Sequence, residues 1–135
     1  MRRFAGRVAI VTGAARGTGE ATARRFAAEG AAVVLADVRD AQGEAVAKDL
    51  GAPARYLHLD VSREEDWARA MQTTTRELGR LDVLVNNAAI LHLGPLARTS
   101  LETWNRVVAV NQTGPFLGIR GPIPPMRRSG GGSVV

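Results

Sequence analysis

The sequence predicts an α/β protein, a doubly wound parallel sheet with helices on both faces, truncated after about four strands with a fifth just beginning. Three observations predict it. Apolar runs of strand length alternate with segments of helical periodicity along the 135 residues, the order that builds βαβ units. Residues 8–11 and 32–36 are apolar without alternation, as strands buried on both faces are. A glycine-rich turn, Thr12-Gly13-Ala14-Ala15-Arg16-Gly17-Thr18-Gly19, joins the first of these runs to the first helix.

The elements follow in order. After the turn, Ala23, Phe26, Ala27 and Gly30 fall at helical spacing and give a narrow face of small residues that can lie close to a sheet. Gly30 ends that helix, as a C-terminal glycine commonly does. The second strand, 32–36, stops at Asp37. A second helix is predicted over 39–50, with Ala41, Ala45, Val46 and Leu50 inward, and Gly51-Ala52-Pro53 breaks it. The third strand, 55–59, ends at Asp60-Val61. Ser62-Arg63-Glu64-Glu65 has the form of a capping box, and Trp67, Ala70, Met71, Thr74 and Leu78 make a helical stripe behind it. Trp67 and Met71 are read as core. Gly79 closes the helix, and the fourth strand, 81–85, runs into Asn86-Asn87-Ala88-Ala89.

Thr99-Ser100-Leu101-Glu102 starts a further helix, expected to turn Trp104, Val107, Val108 and Val110 toward the core and to carry Asn111. Beyond it Pro115 and Pro122 predict interruptions, each costing about 3 kcal/mol in a helix interior. Pro124-Pro125 predicts another break, 129–132 a flexible loop, and 133–135 the first residues of a strand.

The bulk numbers restrict the function. The formal charge of +5 and pI near 11.2 raise nucleic acid as a partner. The pattern argues against it: the arginines are scattered, only Lys48 is a lysine, and the few aromatic residues are not interleaved with the basic ones. The absence of cysteine removes disulfide and thiolate chemistry and fits a cytoplasmic setting. No run approaches the roughly 18 apolar residues of a membrane span. His58 and His92 fit no motif, and two histidines without further ligands make no metal site.

The glycine-rich turn carries the chemistry. It delivers a helix N-terminus, whose first N–H groups have no intrahelical partner, to the end of a buried strand, where a phosphate is favoured. Asp37 lies 18 residues beyond Gly19, close to the separation at which a dinucleotide-binding carboxylate accepts hydrogen bonds from ribose hydroxyls. A carboxylate there repels a 2′-phosphate and favours NAD over NADP, while Arg16 and Arg39 pull toward the phosphate. Taken by residue type alone, Asp60 reads as a strand-end turn residue and Asn86 as a buried structural hydrogen-bonder.

These residues together resemble the short-chain dehydrogenase/reductase family, over about Arg7 to Val135. The resemblance rests on Thr12-Gly-x-x-x-Gly17-x-Gly19, on Asp60-Val61 after the third strand, on Asn86-Asn87-Ala88-Ala89, and on Asn111 in its helix. It implies a Rossmann-type domain in which Gly13, Arg16, Gly17, Thr18 and Gly19 meet the cofactor from the turn and Asp37 holds its ribose. Asp60 and Val61 would face the adenine, Asn87 and Ala88 would stand beside the adenosine, and Asn111 would bend its helix and hold a water in a proton relay. Within the family, Val34-Leu-Ala-Asp-Val38, residues 54–61 and Glu64-Glu-Asp-Trp67 look most like the bacterial 3α/20β-hydroxysteroid dehydrogenases. That implies hydride transfer between NAD and a secondary alcohol or ketone, and a homo-oligomer for the full-length family member.

Departures matter as much. Ala89 stands where the family has glycine, Thr18 where it has an apolar residue, and Pro115 and Pro122 where it has helix formers. The family's Tyr-x-x-x-Lys pair, in which the lysine lowers the tyrosine pKa for general acid/base work, cannot be written here: the chain has one tyrosine, Tyr56, and one lysine, Lys48. The expectation is therefore an N-terminal, cofactor-binding part, inactive alone, whose short fourth-strand edge promotes self-association. A non-catalytic nucleotide-binding module is the alternative.

Overall fold

The computed structural model describes residues 1–135, and its centre is a sheet in the order β3-β2-β1-β4-β5 with every pairing parallel. The strands are β1 (Val8–Thr12), β2 (Ala32–Asp37), β3 (Arg55–His58), β4 (Val83–Val85) and β5 (Ser133–Val134). Side chains alternate across a sheet, so the first four strands each feed two cores. Ile10, Val34 and Leu84 point to one face and meet Trp67 and Met71. Val11, Val33 and Leu35 point to the other and meet Ala23 and Val46. This two-sided burial is why the first two strands read as unbroken apolar runs. Trp67 and Met71 are core, as their stripe predicted.

Helices α1 (Gly17–Ala28) and α2 (Asp40–Leu50) cover one face. On the other lie α3 (Glu64–Leu78), and, after α4 (Leu101–Val108) and a π-helical turn (Ala109–Thr113), α5 (Gly114–Arg120) and α6 (Ile123–Arg128). The fifth strand is indeed only begun: Val83 and Leu84 pair with Ser133 and Val134. The pairing extends by Val135 N–H donating to the Leu84 carbonyl (2.9 Å) and Asn86 N–H donating to the Val135 carbonyl (2.7 Å).

Three local expectations fail wholly or in part, each for a physical reason. The capping box does not form. Arg63 is the α3 N-cap, and the Ser62 hydroxyl instead donates to Asp60 Oδ1 at 2.6 Å. The backward reach comes from Asp66, whose Oδ2 accepts the Asp60 N–H at 2.9 Å. Second, the face expected inward is only partly so: Trp104 remains 57% exposed and α4 has no fully buried residue, while Val107 and Val108 are half-buried and Val110, just beyond it, packs against the core. The N-terminal end of the stripe is thus the part left open. Third, the prolines meet their expectation only in part: Pro122 falls in a break between α5 and α6 as predicted, but Pro124 and Pro125 lie inside a helix. The helical backbone runs unbroken from α4 through the π turn, which ends at Thr113, into α5, and Pro115 lies directly after that turn, where the hydrogen-bond spacing has already changed. Pro122 is the N-cap of α6, and Pro124 and Pro125 occupy its first turns.

The base of the sheet is held by one carboxylate. Asp82 is 4% exposed; its Oδ2 accepts the Val8 N–H at 2.9 Å and Arg80 Nε at 2.8 Å, and its Oδ1 accepts Arg7 Nη1 at 2.9 Å and Arg80 Nη2 at 2.6 Å. It thus ties the first residue of β1 to the approach of β4. Burial alone would raise its pKa, but Arg80, the Val8 N–H and Arg7 outweigh burial and hold it down to about 2. A depressed carboxylate adds stability above its unfolded pKa and loses it as pH falls through the folded value. Asp82→Asn should lower stability at pH 7 by about 2 kcal/mol. In urea denaturation the gap between variant and parent should close as pH falls from about 4 toward the folded value; a constant gap would refute the ion-pair account.

Candidate functional site

The strand order changes direction at β1, which has β2 on one side and β4 on the other. Loops leaving the C-terminal ends of such neighbours diverge and open a crevice. Here it is a cleft of about 990 Å³. Its floor is the β1–α1 turn, one wall comes from the ends of β2 and β3, and the other from the segment after β4 with the α4–π turn.

The floor has the properties an anion needs. Arg16 caps α1 in an extended conformation without a side-chain hydrogen bond, so no protein side chain closes the helix N-terminus. Gly17 has φ +59°, and a Cβ added there would meet nothing within 4 Å. The space above the first turn is therefore open. Gly13 is demanded from the other side: at φ +64°, an added Cβ would stand 2.9 Å from the Ala88 Cα and from Asn87 Nδ2. Gly19 lies behind the floor, so tight that a Cβ would fall 2.0 Å from the Gly13 carbonyl oxygen.

The wall carboxylates are fixed by backbone. Asp37 is 8% exposed; its Oδ2 accepts the Ala15 N–H at 3.0 Å, and its Oδ1 accepts the Val38 and Arg39 N–H groups at 2.8 and 3.0 Å. Asp60 Oδ1 accepts the Ser62 N–H at 2.9 Å as well as its hydroxyl. Neither carboxylate pairs with Arg16, Arg39 or Arg106, although all three guanidinium-bearing residues line the cleft.

Asn87 joins the two halves. Its N–H donates to the Thr12 hydroxyl at 3.0 Å, and its Nδ2 donates to the Thr12 and Gly13 carbonyls at 3.0 and 3.3 Å. The Ala88 N–H shares the Thr12 hydroxyl at 3.0 Å. Asn111 sits in the π turn, where its Oδ1 accepts the Ile90 N–H at 2.9 Å and its Nδ2 donates to the Ile90 carbonyl at 2.8 Å.

Of the residues singled out from sequence, Gly13, Arg16, Gly17, Asp37, Asp60, Val61, Asn87 and Ala88 line the cleft. Thr18, Gly19 and Asn111 do not: Thr18 gives its carbonyl to the Thr22 hydroxyl, Gly19 is buried, and the Asn111 amide is committed to Ile90. Sequence reading missed Ser62, Ile90, Leu91, Arg106 and Val110. Only Arg106 carried a usable signal, since it and Val110 stand four residues apart on one helical face leading to the cleft. Among the charged groups no cluster suits a metal ion, and no helix is long and apolar enough to cross a membrane.

Known proteins agree with this geometry. The family model described as short chain dehydrogenase matches residues 7–135. A 3-alpha-(or 20-beta)-hydroxysteroid dehydrogenase of Mycobacterium tuberculosis is 47% identical over 133 residues, which cover 98% of this chain and 51% of that protein. A 2,5-dichloro-2,5-cyclohexadiene-1,4-diol dehydrogenase of Sphingobium indicum is 42% identical over 136 residues, 98% of this chain and 54% of its own. Cyclopentanol dehydrogenase of Comamonas testosteroni is 41% identical over 138 residues, all of this chain and 55% of its own. The chain spans about half the length of the curated relatives it matches. With the parallel sheet, the glycine-rich floor and a match over nearly its whole length, the chain belongs to the short chain dehydrogenase family.

Proposed function

We propose that residues 1–135 form the cofactor-binding part of an oxidoreductase, and that the cleft holds NAD. The observation that carries this reading is the pairing of an uncapped, open helix N-terminus with a buried carboxylate, Asp37, on one cleft. The residues present fit the dinucleotide. The first N–H groups of α1 would receive the pyrophosphate, Asp37 would accept from the adenosine ribose hydroxyls, and Asp60 with Val61 would flank the adenine. Asn87 and Ala88, fixed to Thr12, would hold the middle of the cleft open. When bound, the nicotinamide would take or give the hydride. Asn111 would keep the Ile90 strand extension in place beside it.

The substrate proposed is a secondary alcohol or its ketone, a hydroxysteroid among them. Support comes from the relatives, whose names specify hydroxysteroid, chlorinated cyclohexadienediol and cyclopentanol dehydrogenases. We place the protein in the cytoplasm, in keeping with a chain that has no cysteine. We also propose a homo-oligomer for the intact enzyme, using the face where Leu101, Trp104, Phe116 and Ile119 are each more than half exposed.

This chain alone should not turn over substrate. Its one tyrosine cannot act as the general acid: burial, then Asp40, push the Tyr56 phenol well above its usual range, and its hydroxyl lies 2.6 Å from both the Asp37 carbonyl and Asp40 Oδ1. The second reading is a nucleotide-binding module without redox chemistry. A Tyr-x-x-x-Lys in the downstream reading frame would decide for the enzyme.

Calorimetry should find NADH bound more tightly than NADPH. Asp37→Asn should shift the ratio of the two affinities toward NADPH by about tenfold, because it removes the repelling charge and leaves Arg16 and Arg39 free. Equal binding by the parent chain would refute the Asp37 assignment. Purified chain assayed with NAD and secondary alcohols should show no turnover above a contaminant-free background. In analytical ultracentrifugation, Trp104→Lys should reduce self-association; an unchanged distribution would remove this face from the interface.

A further inference from the structure

Two walls of the cleft meet at one point and part from there. Gly114 opens α5 against the residues that follow β3: a Cβ added to it would lie 2.8 Å from Val61 Cγ2 and 3.1 Å from Val61 Cβ. Helix backbone and Val61 are therefore in contact, with no space between them. Val110 and Arg106, four and eight residues before Gly114, line the cleft together with Asp60, Val61 and Ser62. At 1.5 Å per residue, Arg106 stands roughly 12 Å along the helix from that contact. The space between the walls is a slot, closed at Gly114, with Arg106 toward its mouth.

Two features turn Arg106 into the slot. The first is the π turn. Residues four apart drift by about 40° around an α-helix, so a succession of such steps leaves its starting face. The wider turn at Ala109–Thr113 rotates the chain back. Arg106, Val110, Gly114 and Gly118 therefore share one face. Val110 packs on the core, Gly114 on Val61, and Gly118 on Asn86 and Trp67. The second feature is an ion pair that does not form. Glu102 precedes Arg106 by four residues, the spacing of a helical pair. In α1 that spacing joins Glu20 to Arg24 at 2.8 Å and Arg25 to Glu29 at 2.6 Å. Arg106 makes no such pair and lines the cleft instead.

The opposite wall suits a flat ring. Leu59 and Val61 are buried and give it an apolar surface, while Asp60 gives only Oδ1 to Ser62 and keeps Oδ2 for a donor. A phosphate does not fit here, because it would meet the Asp60 carboxylate and has its own place at the α1 N-terminus. A guanidinium is planar and weakly hydrated, and it stacks on aromatic faces. We propose that Arg106 is a cofactor-binding residue that closes this slot: its guanidinium stacks on the outer face of the adenine, whose inner face rests on Val61. The proposal rests on the NAD-binding reading above, which gives the adenine only one wall, and supplies the other. Arg106 is exposed, so the contribution expected is about threefold in Kd.

The test is NADH affinity by fluorescence, with ADP-ribose, adenosine and nicotinamide mononucleotide as competitors. Arg106→Met keeps a long apolar stem and a good helix former while removing the guanidinium. It should weaken NADH, ADP-ribose and adenosine about threefold each and leave nicotinamide mononucleotide unchanged. Arg106→Lys keeps the charge without the plane and should recover only part of the loss. Unchanged NADH affinity in Arg106→Met would overturn the proposal. So would a loss for ADP-ribose without one for adenosine, which would make Arg106 a phosphate contact, and so would full recovery by lysine. An equal loss for nicotinamide mononucleotide would overturn it too, by showing that the whole cleft had changed. A parent chain that binds NADH beside an indifferent Arg106→Met strikes Arg106 alone. No NADH binding by the parent chain would overturn the NAD reading as well.

Discussion

The cleft depends on the knot between Thr12 and Asn87. Thr12 ends β1 with 1% of its surface exposed, and its hydroxyl serves three groups. It donates to the Val85 carbonyl at 3.2 Å and accepts the Asn87 and Ala88 N–H groups at 3.0 Å each. The Asn87 amide returns the favour to the Thr12 and Gly13 carbonyls. The pairing of β4 with β1 runs from Val83 and stops at Val85, so beyond that point these side-chain bonds replace the ladder. They let the β4 extension swing out as the far wall while its base stays fixed to the floor. Each bond involves a group largely withdrawn from water, where an unmade bond costs about 1–3 kcal/mol. The same knot sets the glycine at position 13, because Asn87 and Ala88 occupy the space a Cβ would need.

Much of this was legible in the residues themselves. The unbroken apolar runs gave strands buried on both faces because the chain does fill both faces. The glycine spacing and Asp37 located the floor and near wall because backbone geometry dictates them locally. What could not be read was tertiary. The Ser62 box has a sound local form, but Asp60 lies two residues earlier and takes the hydroxyl. The α4 stripe predicted a buried face because periodicity reports amphipathicity and cannot name the partner; here Val110 meets the core while Trp104 faces solvent. The proline penalties were assigned to regular helix interiors, and a π turn directly before Pro115 changes the hydrogen-bond spacing there. The contacts of His58 could not be read either, because its two carboxylates, Asp40 and Asp66, come from different helices and meet it only in the fold.

The close approach of α5 to the sheet also rests on missing side chains. A Cβ on Gly114 would lie 2.8 Å from Val61 Cγ2, and one on Gly118 would lie 2.1 Å from Asn86 Oδ1 and 2.8 Å from the Trp67 ring. These two glycines, four residues apart on one face, set the depth at which the helix sits. That depth fixes how far Val110, one turn earlier, and Arg106, a further turn out, reach over the cleft. Packing on the far side of the sheet thus governs the height of the cleft's outer wall.

The charge of the chain takes on a different meaning in this frame. Ten arginines form ion pairs with carboxylates, most of them on the surface, and so cancel locally. Seven arginines do not, and three of them, Arg16, Arg39 and Arg106, line the cleft. The reason they remain unpaired lies in the backbone: the oxygens of Asp37 are already taken by the Ala15, Val38 and Arg39 N–H groups, and Asp60 Oδ1 by Ser62. A carboxylate satisfied by N–H groups keeps its full charge for discrimination without drawing a guanidinium onto itself. The cleft can then present negative charge at one point and mobile positive charge around it. A dinucleotide requires both at once, an acceptor for its ribose hydroxyls and counter-charge for its phosphates. The net +5 that first suggested nucleic acid is thus better accounted for, in part, by one small-molecule cleft.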